Sequence, residues 1–138
     1  MITIAISYDD IHSEVLRLSE YIATKAKDYD GLRAIDEDQE QLRSWYYDGL
    51  TIANIILDRV IAKRITFDRM TGEAQITLRT FNDSVALVKP ALEQMLQYHI
   101  IVGWLKLVAP ALVPQYQADE QSRQQELMNL CYYREMPK

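Results

Sequence analysis

The stretch Asp28-Tyr-Asp-Gly31 opens like a calcium loop, with two carboxylates spaced by one residue. Such a loop needs glycine at its sixth position for the sharp turn, and Arg33 stands there instead. A solvated loop at a helix end is the plainer reading. Asp36-Glu-Asp38-Gln-Glu40 is likewise a capped, solvated first turn, where the helix dipole favours negative charge. His12 and His99 have no neighbouring cysteine or spaced carboxylate set, so they read as a surface histidine and a core or interface histidine. The Glu-x-x-His pairs of di-iron bundles are absent. So are the Gly-Lys-Ser/Thr phosphate loop, the Gly-x-Ser-x-Gly elbow and the His-Glu-x-x-His zinc motif. Cys131 is the one cysteine and reads as a small buried residue on the last helix. No residue is assigned to catalysis, a cofactor or a metal, and the expectation is a protein that is not an enzyme.

Two aromatic clusters remain. Trp45-Tyr46-Tyr47 lacks the interleaved basic residues of a base-stacking platform and reads as core plus rim. Tyr132-Tyr133-Arg134 combines aromatics with arginine near the end of the chain, a composition common at interfaces. Packing of a helix end is the alternative for that cluster.

These residues must be positioned by a small fold. The chain has 138 residues, enough for one domain spanning residues 1–138 with a single modest core. It is 49% hydrophobic and 25% charged, so it folds rather than staying disordered. A net charge of −5 argues against general binding of nucleic acid phosphates. The most apolar run, His99 to Val113, is about 15 residues with Lys106 and Pro110 inside it, too short to span a bilayer. Met1 to Ser7 lacks the basic start and apolar core of a signal peptide, which points to a cytosolic or virion protein.

The element that organises the chain is a β-hairpin at about residues 64–81. Ile65 and Phe67 alternate with polar residues, as do Ile76 and Leu78. Gly72 can take the positive φ of the intervening loop. A lone hairpin is marginal in water, so it must dock on its own helices, on the N-terminal strand or on another chain. Ile2, Ile4 and Ile6 mark that short strand, which pairs in its own subunit or in a neighbour. Strand addition from a neighbour would make the hairpin an assembly element. Arg69, Glu73 and Arg79 would then set register by charge pairs across subunits. The alternative is a hairpin folded back on its own helices.

Around the hairpin, periodicity predicts a mainly α chain: a four-helix body with the hairpin inserted and a short N-terminal strand. Ser7 or Asp9 caps a helix with the stripe Ile11, Val15, Leu18 and Ile22. The second helix starts at Asp36–Asp38 and runs about 28 residues, roughly 42 Å, to Lys63 and Arg64, which suggests an elongated molecule. Its inner face is Leu42, Trp45, Gly49, Ile52, Ile56 and Val60, and Gly49 marks close approach of another helix. Pro90 opens the third helix, after an irregular or short helical lead-in at Val85 to Lys89. That helix, the most apolar, places Trp104 in or beside the core. The fourth runs from Pro114 to about Arg134. It is polar to Gln125 and so packs only at its far end.

The layout resembles a known family. Two helices, a small hairpin, a helix with the stretch Ile100-Ile-Val-Gly-Trp-Leu105 and a last helix ending Tyr-Tyr-Arg-Glu-Met-Pro137 look like the small helical head–tail connector, or neck-ring, proteins of tailed bacteriophages, the crAss-like group among them. The N-terminal isoleucine strand departs from that family's pattern. The resemblance implies a homo-oligomeric ring of about twelve copies, located in the virion and assembled in the host bacterial cytoplasm. Its partners would be portal and tail proteins, with DNA passing through without specific binding and with no membrane or cofactor. An acidic subunit suits such a conduit, because a negative lumen does not grip phosphate. The alternative from the residues alone is a small helical adaptor or regulator that binds one partner protein.

Overall fold

Isoleucine at every second position begins the fold as strand β1 (Ile2–Ile6). The chain continues through α1 (Tyr8–Lys25), α2 (Gln39–Ile56), β2 (Ile61–Phe67), β3 (Ala74–Leu78), α3 (Val85–Val108), a 3-10 turn (Pro110–Leu112) and α4 (Val113–Tyr132). A computed structural model of the chain describes residues 2–25, 35–36, 38–59, 61–68, 70–78 and 85–132. The fold is mainly helical, with four helices and a small three-stranded antiparallel sheet.

The strand order is β1-β3-β2. The N-terminal strand therefore pairs with the hairpin of its own chain, in the register Ile2–Leu78, Ile4–Ile76 and Ile6–Ala74. Ile4, Ile6, Ile65, Ala74, Ile76 and Leu78 face the helices and are buried. On the opposite face the hydroxyls of Thr3 and Thr77 lie 3.3 Å apart. β2 does not keep a strict alternation. Its register against β3 shifts between Ile61 and Lys63 and again between Lys63 and Thr66. Without these bulges Lys63 would share the apolar face with Ile61 and Ile65; with them it pairs with Thr77 on the polar face. The side-chain oxygen of Asn54 on α2 accepts the Ile65 N–H at 2.8 Å, which ties the bulged strand to the helix.

α2 departs from the expected long helix. It starts at the acidic stretch as expected, and the cap is Asp38, its carboxylate accepting the Gln41 N–H at 2.7 Å. It then ends at Ile56 after 18 residues, about 27 Å at about 1.5 Å per residue. Residues from Ile61 onward are β-strand, because pairing with β3 both bonds their backbone and buries Ile61 and Ile65. The inference of an elongated molecule loses its basis with that helix. The buried face is Leu42, Tyr46, Gly49, Leu50, Ala53 and Leu57, so the stripe is rotated from the expected one. Val60 lies outside the described residues.

α3 is the most apolar helix and packs against α1, α2, α4 and β1. Trp104 is buried within it, as expected. The helix starts at Val85, and Pro90 sits inside rather than at its first turn. Burial of Val88 carries the lead-in turn into the helix. α2 and α3 come close at two matched points. A Cβ on Gly49 would lie 2.8 Å from Leu96 Cδ2, and one on Gly103 would lie 2.8 Å from the Trp45 indole. The close approach expected at Gly49 is therefore present, and α3 supplies a reciprocal notch.

α4 packs chiefly on α3. Its polar first half is not idle, contrary to expectation: Glu120 is buried and Tyr116 packs against the core.

Candidate functional site

The sequence sets His99 on the most apolar helix without a partner; the fold supplies two. Its Nδ1 lies 2.8 Å from Glu120 Oε2 on α4, and its Nε2 lies 2.6 Å from Asp48 Oδ2 on α2. The ring and Glu120 are nearly enclosed, with side-chain exposures of 16% and 10%, whereas Asp48 is 64% exposed. Gln124 Nε2, one turn along α4, donates to the same Glu120 oxygen at 3.1 Å. Burial pulls the imidazole pKa down. The bonds and charges of Glu120, and after it Asp48, outweigh burial and hold it above the ordinary value. The ring thus bridges two carboxylates on three helices, an arrangement that favours its protonated form. The carboxylates take opposite ring nitrogens, so they do not converge on one ion. Among the described residues no group of three or more His, Cys, Asp and Glu side chains is placed to hold a metal.

Nothing local in the sequence announces this cluster, because its members stand 51 and 21 residues apart. The available signal was His99 itself, since a histidine in an apolar helix needs polar partners.

A second arrangement holds the hairpin tip. Asp68 organises the turn: its carboxylate accepts the Met70 N–H at 2.8 Å, and its carbonyl accepts the Gly72 N–H at 2.7 Å. Gly72 has φ +76°, and a Cβ there would lie 2.5 Å from Tyr8 Cβ. The buried Tyr46 hydroxyl donates to the Gly72 carbonyl at 2.9 Å. Tyr8 packs edge-on against Tyr46 at 5.3 Å and donates to Gln39 Oε1 at 2.9 Å. Tyr47 stacks on Phe67 at 4.5 Å. The hairpin is thus docked on its own helices through aromatic residues. Trp45-Tyr46-Tyr47 divides into a buried Tyr46 and half-buried flanks, matching the core-plus-rim reading.

The third feature is an open groove of about 320 Å³ between α1 and α4, floored by α3. Arg17, Tyr21, Gln94, Gln97, Tyr98 and Arg123 line it. The Arg123 guanidinium lies over the Tyr98 ring at 5.8 Å and bonds Glu126 at 3.1 Å, while its buried Nε–H has no hydrogen-bond partner.

Of the expected interface residues, the structure describes the side chains of Ile4, Ile6 and Glu73. Ile4 and Ile6 face this chain's own core, so their side chains are not available to a neighbour. For Ile2 and Tyr132 only the backbone is described. Glu73 is exposed beside the hairpin turn. Arg69, Arg79, Tyr133 and Arg134 lie outside the described residues, as does the loop Asp28–Gly31. His12 is half-buried and stacks on Tyr8 at 5.7 Å. The buried Ser19 hydroxyl, which sequence reading passed over, is structural: it accepts the Ile35 N–H at 2.8 Å and donates to the Leu16 carbonyl at 2.8 Å. Among the described residues no helix is long and apolar enough to cross a membrane.

No family model matches the chain, and neither does any curated protein or solved structure.

Proposed function

We propose that this chain is a non-catalytic structural protein, a subunit of the head–tail connector or neck ring that joins portal to tail in a tailed bacteriophage. The observation that carries the reading is the sheet order, with β1 at one end and β2 at the other. The two ends differ. β1 is an uncharged strand in regular register, whereas β2 is bulged and carries exposed Lys63 and Arg64. Two unlike ends on one chain suit a head-to-tail contact between identical subunits, and such contacts form a ring when the rotation closes. Strand addition is the mode by which the β1 end would join a neighbour. About twelve copies are proposed, with portal and tail proteins as partners. The assembled ring sits in the virion, and DNA passes without specific binding. The net charge of −5 supports that last point.

Electron microscopy of the purified chain, alone and mixed with the portal ring of the same phage, tests this. Closed rings, free or seated on the portal, are expected. Monomers in both samples contradict it.

The groove between α1 and α4 favours a second reading, an adaptor that binds one partner protein. An adaptor would form a stoichiometric complex with that partner and no ring.

A further inference from the structure

We infer that Asp48, His99 and Glu120 form a pH-sensitive clamp that ties α4 to α2 and α3, closed while the imidazole carries both its protons and strained once it loses one. The inference is independent of the connector reading.

Both ring nitrogens sit within hydrogen-bond distance of a carboxylate oxygen. Ionised carboxylates only accept, so both bonds need a donor on each nitrogen, which only the imidazolium has. The neutral ring keeps one N–H and turns a lone pair toward the other carboxylate. The two arms then behave differently. Asp48 is exposed and can turn to water. Glu120 cannot: it is buried on the inner side of α4, and its other described polar contact is the neutral amide of Gln124. The neutral ring therefore keeps its N–H on Nδ1 for Glu120 and releases Asp48. Glu120 is left as a buried carboxylate without a cation, which is costly in the way any uncompensated buried charge is. The strain falls on α4, whose packing is chiefly on α3. The charged groups acting on the imidazole are Glu120 from α4 and Asp48 from α2; α3 itself supplies none.

The sign follows from linkage. His99 is held above its ordinary 6.5 in the folded chain. Its stabilisation is full below 6.5 and is lost as pH rises through the folded midpoint. The clamp is closed in mildly acidic solution and loosens in alkaline solution.

The test is an NMR titration of the His99 ring in the full chain. Amide exchange along α1 and α4 is followed in parallel from about pH 5.5 to about pH 9, corrected for intrinsic rates. The His99 midpoint is expected above 6.5. Exchange protection of α4 should fall through that midpoint, by about tenfold for each unit it stands above the ordinary value, while α1 holds. His99→Gln should abolish the step. Asp48→Asn alters only an exposed carboxylate and should lower the midpoint and shrink the step, so it decides the matter even where His99→Gln does not fold. A His99 midpoint at or below the ordinary value, or α4 protection equal on both sides of it, overturns the clamp.

Discussion

The Tyr46 hydroxyl donates to the Gly72 carbonyl at 2.9 Å, so the hairpin tip hangs from the middle of α2. Burial pushes the Tyr46 phenol up, which keeps it a donor well into alkaline solution. Tyr46→Phe keeps the ring and removes the bond, leaving a buried carbonyl unsatisfied. The expected loss is about 1–3 kcal/mol, read by thermal or urea unfolding. A loss under about 0.5 kcal/mol would mean that water replaces the hydroxyl and that the tip is not held there.

The Trp45 indole occupies the notch at Gly103. Gly103→Ala gains helix propensity, about 1 kcal/mol. It also drives a methyl into a rigid ring, and overpacking of that kind costs about 1–3 kcal/mol. Net destabilisation is expected. Combining it with Trp45→Leu should recover part of the loss, because the ring that clashes is gone. A double-mutant cycle measures this, and strict additivity of the two changes would show that the contact is not tight.

Glu120→Gln removes the buried charge that does most to raise His99. In the wild type, stability should decline as pH rises from 6.5 through the folded His99 midpoint. In the variant that decline should flatten, since the folded and unfolded values of His99 move together. Denaturant midpoints at several pH values give the comparison, and an unchanged slope in the variant would assign the pH dependence to another group.

Much of the fold was legible because its signals are local. Alternation at Ile65, Phe67, Ile76 and Leu78 is a property of neighbouring residues, and so is the acidic start of α2. The isoleucines of β1 declared a strand with one apolar face. The hairpin was the expected partner, but whether of this chain or of a neighbour was not legible, since pairing with β3 joins residues 68 to 76 positions apart. The end of α2 misled for a physical reason. The spacing of Ile52, Ile56 and Val60 extends a helical pattern in the sequence up to the start of β2 at Ile61, and strand pairing with burial of Ile61 overrides that local preference beyond it. Glu120 was read as a solvated residue of a polar half-helix. Its burial depends on an imidazole 21 residues away, and no window on α4 contains that fact. Arg69, Arg79, Tyr133 and Arg134 lie outside the described residues, so the charge pairs and aromatic end proposed for assembly rest on the sequence.

The connector reading, which assigns the chain to a tailed phage, is tested most directly by quantitative mass spectrometry of purified virions of a phage whose genome carries its gene. The account predicts this 16.1 kDa protein in the particle, at a copy number close to that of the portal, about twelve. Absence from the particle, or abundance that follows the major capsid protein instead of the portal, would contradict it.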